Sequence, residues 1–452
     1  MACFAMMPAR VACICSILAA DMFLPAKFNI DLPLIPPVDK DIIASLSALV
    51  ACLIFRPKLL TQKAPGSRYN WLFALLIAGS LLTVLTNGDP LQYGPTWLVG
   101  ETLHDFLSDA ILLLLTWWTP FFLGRKLFNR IEDVRILLSA LVIGGLIYSF
   151  FIFIEIRLSP QLNMWVYGYH QSDFIQTIRF GSYRPKVFMR HGLNVALFIL
   201  VAVLAAGALK RAKLRLGMGM GFLGVAWAGG YLTMVLILCR SSGALVYGLL
   251  LLPMLLWARS RLQSNVIMTV SIALFAYPLL RSYGLVPVEK IAEFFSSLLG
   301  ADRAQSLSFR FENETLLLNR AVERMWFGWG GYARSFPHDG ATGQRIAVVD
   351  GTWIGVLGAS GLVGFISTFG LLLLPILLTA WRLRAFVGKQ RFVAVGVLVL
   401  GLVYVIDLIP NSGVGPYLNL IIGCLAGLQP DPPAEADAVS FQIPNGDANS
   451  AA

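Results

Sequence analysis

The sequence predicts an all-α, polytopic integral membrane protein with about twelve transmembrane helices, and three observations carry that expectation. Of its 452 residues 57% are hydrophobic and only 13% charged, whereas soluble domains carry about 25% charge. The mean hydropathy is +0.72. Apolar runs recur along most of the chain, and Lys and Arg crowd into alternate connections between them. That balance excludes a soluble multidomain enzyme, a disordered chain and a disulfide scaffold. The net charge of +10 reads as basic loops beside a membrane rather than as nucleic-acid binding.

A span needs about 20 apolar residues to cross about 30 Å of hydrocarbon. Twelve runs qualify, with loose edges: 11–24, 40–55, 70–86, 104–123, 136–156, 187–209, 217–239, 243–257, 265–280, 352–380, 392–408 and 416–428. The first, second and last are short, and 352–380 is long enough to tilt. No cleavable leader is expected, because Asp21, Pro25 and Lys27 follow the first run without a small-residue cleavage pattern. The six cysteines lie at the N-terminus or within apolar runs, in no metal or disulfide spacing. The whole of 1–428 reads as one transmembrane domain. The tail 429–452, rich in Pro, Asp, Ala and Asn, reads as disordered.

Charge then orients the helices. Five connections, after the second, fourth, sixth, eighth and tenth runs, hold eighteen of the 35 Lys and Arg residues, while 87–103 and 409–415 hold none. The positive-inside rule places the basic set and both termini in the cytoplasm. Two long loops then fall outside, 157–185 and 281–351. In the longer one Pro287 opens a helix, with Val288, Ile291, Phe294, Phe295 and Leu298 on one side and Gly300 to stop it. Such a helix suits the membrane interface. A second helix spans about 306–326, with Phe311, Thr315, Leu318, Val322 and Met325 as its buried stripe, before the GWGG segment at 328–331. No internal repeat is visible, which argues against an inverted-repeat transporter.

Charges within or at the ends of spans are rare, since one at the bilayer centre costs about 2.5–3.5 kcal/mol on insertion scales. Those expected on the outer side are Arg184, Arg190, His191, Arg240, Arg310, Asp350 and Asp407. Each also has a plainer reading. Arg184 and Arg190 can snorkel to lipid headgroups, and His191 can be a hydrogen-bonded packing residue. His338 can be an exposed loop residue. Asp350 can cap the helix that follows it. Arg240 sits in a tight hairpin between two spans, where a purely solvated placement has little room. Arginines converging at an outer membrane face suit a lipid-linked diphosphate, because guanidinium binds phosphate oxygens bidentately and keeps its charge. They would also stabilise a departing diphosphate.

Three segments together resemble the O-antigen ligase and polysaccharide polymerase superfamily. RSSG at 240–243 is similar to its arginine-bearing hairpin at the outer end of a span. SLSFRFENETLLLNRAVERMWFGWGGY at 306–332 resembles its arginine-bearing helix and glycine turn, with Trp326 near the usual proline. DGTWIGVLGASGLVGF at 350–365 resembles the block that opens a late span, with Asp350 and Gly351 where the family often has His and Asn. The resemblance implies a metal-independent inner-membrane glycosyltransferase without a nucleotide cofactor. It would move a glycan from an undecaprenyl-diphosphate carrier to a glycan or lipid-linked acceptor on the periplasmic side, during surface polysaccharide synthesis. It implies diphosphate binding by Arg240 and Arg310, joined here by Arg184 and Arg190, and leaves acceptor activation to Asp350, His338 or His191. The implied partners are the donor, the acceptor, membrane lipids and chain-length or export proteins, with no nucleic acid. The Asp at position 350 points toward a polymerase-like branch. The rival readings are a flippase or transporter of lipid-linked sugars, and a non-catalytic assembly subunit.

Overall fold

The computed structural model describes residues 2–31, 36–61, 65–172, 174–179, 181–216, 222–299 and 301–430. Helices occur at all twelve apolar runs. They are α1 (Ala9–Phe23), α2 (Lys40–Phe55), α3 (Asn70–Thr86), α4 (103–127), α5 (Ile131–Leu158), α6 (Gly192–Arg211), α7 (Phe222–Leu238), α8 (Ser242–Trp257) and α9 (Ser260–Ser282). Next come α10 (Val288–Leu299) and α11 (Ala301–Glu323), and then the last three apolar helices, α12 (Thr352–Trp381), α13 (Gly388–Asp407) and α14 (Pro416–Gly427). Seven of the described helices are long and apolar enough to cross a membrane. By that measure this is a helical membrane protein. The segments at α7, α8 and α14 are shorter apolar helices, and α1 and α2 have only 15 and 16 residues.

Two of the connections contain short pairs of strands. Residues Leu91–Tyr93 (β1) and Thr96–Leu98 (β2) pair as an antiparallel hairpin inside 87–103, and Ile178–Arg179 (β3) pairs with Ser182–Tyr183 (β4) inside 157–185. Gly94, with φ of 50°, permits the tight turn of the first pair. Residues Phe294, Phe295 and Leu298 have side chains outside the described set, as does the tail from 431.

Helix α6 is the central post. It is apolar all round, and sixteen of its residues from Gly192 to Leu209 are buried, as expected of a helix enclosed on every side. Helices α5, α7, α8 and α13 pack around it. On the flank, α14 approaches α4 closely because both surfaces carry glycines. A Cβ on Gly124 would fall 2.1 Å from the Leu420 carbonyl oxygen, and one on Gly423 2.0 Å from that of Phe121. Small residues four apart, Gly423 and Gly427, are the usual device for such helix contact in membranes.

The glycine-rich motifs of the sequence meet each other. Helix α12 breaks at Gly361, whose φ of 64° and ψ of −163° lie in a region open essentially to glycine. The break frees backbone groups, and the segment 325–330 satisfies them. Trp329 and Gly330 N–H donate to Gly358 and Ala359 carbonyls (2.9 and 2.8 Å), and Leu362 and Val363 N–H donate to Met325 and Trp326 carbonyls (2.7 and 3.2 Å). A Cβ on Gly328 would lie 2.4 Å from the Ala359 backbone. These motifs are therefore a backbone lock between the long loop and α12.

The basic connections gather at one end of the bundle, where they tie helix ends together. Arg10 donates to the Leu127 carbonyl (2.8 Å) and pairs with Asp133 (2.9 Å). Arg125 donates to the Gly66 carbonyl (3.0 Å), Arg135 to that of Arg215 (3.0 Å) and Arg211 to that of Ala258 (2.6 Å).

The stripe expected on α11 is corrected. Leu318 is buried as expected, but Thr315 is exposed and Val322 and Met325 are 55% and 41% exposed, whereas Asn313, Glu314, Leu317 and Ala321 are buried. The polar pair turns inward because it has partners there. Asn313 Oδ1 accepts from Val348 N–H (2.8 Å), and Glu314 accepts from Tyr277 O–H (3.2 Å) beside Arg281 (3.7 Å).

Candidate functional site

At the end of the bundle opposite the arginine-rich connections lies a cavity of about 770 Å³. Its walls are helix ends. The C-terminal ends of α1 and α13, the N-terminal ends of α2, α6, α8 and α14, the loop preceding α6 and one turn of α11 all contribute. Charged groups line it from positions far apart in sequence: Asp21, Lys40, Asp41, Arg184, Arg190, Arg310, Asp350 and Asp407, with His191.

Ion pairing organises these charges in three sets. Lys40 Nζ lies 3.6 Å from Asp21 Oδ1 and donates to the Asp21 carbonyl (3.0 Å). Arg190 bridges Asp39 (3.1 Å) and Asp41 (2.9 Å). Burial works against its charge, but the Asp41, Asp39 and Asp21 carboxylates more than offset this, so its pKa is raised. Arg310 Nε lies 3.7 Å from Asp350 Oδ2, while Nη1 donates to the Pro410 carbonyl (2.7 Å) and Asn411 Oδ1 (3.4 Å). Asn411 Nδ2 in turn donates to Asp407 Oδ1 (2.8 Å). One guanidinium is thus coupled to two carboxylates, one directly and one through an amide.

Asp350 is not the helix cap that its position suggested. Gly351 occupies the N-cap of α12 with no side-chain bond, and Thr352 N–H is taken by the Leu408 carbonyl (2.9 Å). The Asp350 carboxylate is left to the cavity and to Arg310. His191, by contrast, does cap. Its Nδ1 accepts from Leu193 N–H (3.2 Å) at the start of α6. A neutral ring accepting at Nδ1 carries its proton on Nε2.

Arg184 is 5% exposed and crosses the start of α6, where a Cβ on Gly192 would meet its stem at 2.5 Å. Its Nη2 donates to the Arg240 carbonyl (3.3 Å). Arg240 itself turns the chain between α7 and α8 with φ of 52°. The next three residues, Ser241 to Gly243, line the cavity, and Arg240 is not among the lining residues.

His338 stands apart from all of these. Its ring stacks on Tyr93 with centroids 4.8 Å apart and Nδ1 within 2.9 Å of the Phe336 carbonyl oxygen. Burial lowers its pKa below the ordinary histidine value. It belongs to a second polar cluster, built on the β1–β2 hairpin. There Arg320 and Arg324 lie over the two-ring system of Trp329, 3.3 and 4.4 Å from the ring centroid. Arg324 pairs with Asp89 (2.8 Å), and that hydrogen bond holds the Asp89 carboxyl below the usual range. Arg334, fully buried, donates to the Asp89 and Val99 carbonyls (2.7 and 3.0 Å). These contacts fix the hairpin to the GWGG turn.

Sequence reasoning passed over Asp39 and Asp41, the partners of Arg190, and two further groups. Lys40 is one; it follows Asp39 at the head of α2, and only that charged entry to an apolar run marks it. The other is Glu155, 1% exposed near the end of α5. Its carboxylate accepts from Leu162 N–H (3.2 Å) and from Lys186 and Val187 N–H (2.7 Å each). It thereby shapes the loop that carries Arg184, Arg190 and His191.

No protein-family model matches the chain, and no curated protein matches it. Among the described residues no group of three or more His, Cys, Asp or Glu side chains is placed to hold a metal ion.

Proposed function

We propose that the protein is a membrane glycosyltransferase that polymerises or ligates glycans carried on a lipid diphosphate, acting on the periplasmic side of the bacterial cytoplasmic membrane. The supporting observation is the cavity itself, which brings Arg184, Arg190 and His191 of one loop together with Arg310 and Asp350 from two other stretches of chain. Twelve spans with both termini in the cytoplasm fit the segregation of basic residues at the opposite end. In this reading the lipid tail stays in the bilayer and the diphosphate lies at the cavity. An acceptor hydroxyl attacks the anomeric carbon of the donor sugar. Asp350 takes the hydroxyl proton, and the bond from the anomeric carbon to the phosphate oxygen breaks with its electron pair leaving on the lipid diphosphate. Arg310, oriented by Pro410 and Asn411, neutralises that departing charge.

The reading is tested by incubating purified protein with a lipid-diphosphate-linked oligosaccharide and an acceptor glycan. New glycosidic product supports it. Movement of the lipid-linked sugar across reconstituted vesicles without product would instead support the flippase. A graded test uses Arg310→Lys, which keeps the charge and loses the planar fork. Loss of a charge-assisted hydrogen bond costs roughly 1.5–3 kcal/mol, about 10- to 150-fold in rate. Topology has its own measurement. Gly340→Cys in the second cluster's loop should react with a membrane-impermeant thiol reagent in intact spheroplasts, and reaction only after lysis would reverse the orientation.

A further inference from the structure

We propose a second ligand site at the arginine-rich end of the bundle, a pocket for the phosphodiester headgroup of an anionic membrane lipid. A cavity of about 290 Å³ lies between the start of α9 and the turn joining α12 to α13. Ser260, Arg261, Ser264, Asn265, Arg384 and Arg391 line it, and among the described residues no carboxylate does. The two walls are fastened by Ser264 Oγ donating to the Ala380 carbonyl (2.8 Å). Arg391 is aimed by its Nε bond to the Phe386 carbonyl (2.8 Å).

Two features turn this basic hollow into an anion site. The arginines Arg261 and Arg384 make no side-chain hydrogen bond, ion pair or ring contact among the described residues. Arg261 and Arg384 are exposed and Arg391 half-buried, so three guanidinium groups give this hollow a positive potential and can close bidentately on an anion that enters it. The cavity also abuts the N-terminus of a 23-residue helix whose N-cap, Arg259, supplies no side-chain bond to the first turn. Uncapped N–H groups there add donors and a positive end to the same point.

Depth identifies the source of the anion. Trp257, which ends α8 three residues before α9 begins, and Trp381, which ends α12, are 76% and 69% exposed. Exposed tryptophans at helix ends mark the headgroup level of a bilayer. Leu262, 55% exposed beside Arg261, offers apolar surface on which an acyl chain can lie. Phosphate at this depth, with apolar surface beside it, is the chemistry of a lipid headgroup. Basic pockets between helices near this face are the recurrent form of such recognition. The site lies at the opposite end from the candidate active site and does not depend on the reaction assigned there.

The test uses the full chain in nanodiscs of phosphatidylcholine doped with phosphatidylglycerol, with retained lipid read by native mass spectrometry after extraction. An arginine near a charged headgroup is worth about fivefold in binding, so the double variant Arg261→Gln/Arg384→Gln should retain phosphatidylglycerol about 30-fold less well. Neither side chain holds up the fold, and an unchanged melting temperature in phosphatidylcholine alone checks this. Arg382→Gln/Lys389→Gln removes the same charge from the same turn without touching the cavity and should retain the lipid as the parent does. Equal retention by the cavity variant and the parent overturns the proposal, as does equal loss in the control variant. Inorganic phosphate is the third arm: if millimolar phosphate displaces the lipid completely from the parent, the site reads free phosphate and the lipid assignment fails.

Discussion

Transfer by the Asp350→Asn protein should fall by about 10²–10⁴-fold, the usual cost of removing a general base, while its folding is nearly unchanged. Both halves of that expectation come from where the carboxylate sits. A helix-capping aspartate would tolerate Asn, because an amide oxygen accepts the same backbone bonds. Asp350 has no such bonds to lose, since Gly351 holds the cap position. Its contact is with Arg310 at 3.7 Å, with both side chains about a third exposed. A partly solvated pair of that kind contributes about 0–1 kcal/mol to stability, so Asn cannot unfold the protein by breaking it. Asn is close in size to Asp and cannot accept the proton of a sugar hydroxyl. Initial rates on a purified lipid-linked oligosaccharide, in detergent without added metal, measure the difference. Asp350→His should recover part of the rate, because imidazole can take the same proton. Asp407→Asn is the decisive companion. Asp407 reaches Arg310 through Asn411, and full activity in Asp350→Asn with loss in Asp407→Asn would move the base to the floor of the cavity.

The bundle was legible because its signal is local. Helix α2 spans 40–55 and α3 spans 70–86, the bounds expected from their apolar runs alone. Arg184, Arg190, His191, Arg310 and Asp350 could be assigned to one face by counting spans and loop charges, and they do line one cavity. What counting could not supply was direction within that face. His338 belongs to the same loop system as Asp350, yet it stacks on Tyr93 in a hairpin that reads as a plain connection in the sequence. On α11 the apolar pattern pointed to Val322 and Met325, but Asn313 and Glu314 are the buried pair. Apolarity is a poor guide at a membrane interface, where exposed apolar side chains cost little and a polar group with partners can go inside. The glycines of 328–331 and 358–361 were visible as motifs. Their meaning lies in eight backbone atoms that meet across the chain, and a motif does not announce its partner.

Replacing Glu155 by Ala should be the most damaging single change outside the cavity, at a cost on the order of 3 kcal/mol in stability. Three backbone N–H groups, those of Leu162, Lys186 and Val187, end on this one carboxylate. Each buried donor left without an acceptor costs about 1–3 kcal/mol. Water cannot easily replace the side chain, because the site is 1% exposed and Tyr148 and Gln171 hold the same loop from either side. Val187 adopts φ of 52°, a conformation that a β-branched residue takes only when its surroundings enforce it. Without Glu155 that enforcement goes, and the loop should relax toward ordinary extended backbone. Arg190 and His191 follow within four residues, so transfer should fall together with the melting temperature. Glu155→Gln separates the two roles of the carboxylate. Its single oxygen can still accept from the Lys186 and Val187 pair, which share Oε2 in the parent, and only the Leu162 bond is lost. An ordering of parent, Gln, Ala in both melting temperature and transfer rate is the expected result. If Ala melts as the parent does, the loop is held by other contacts and Glu155 has no positioning role.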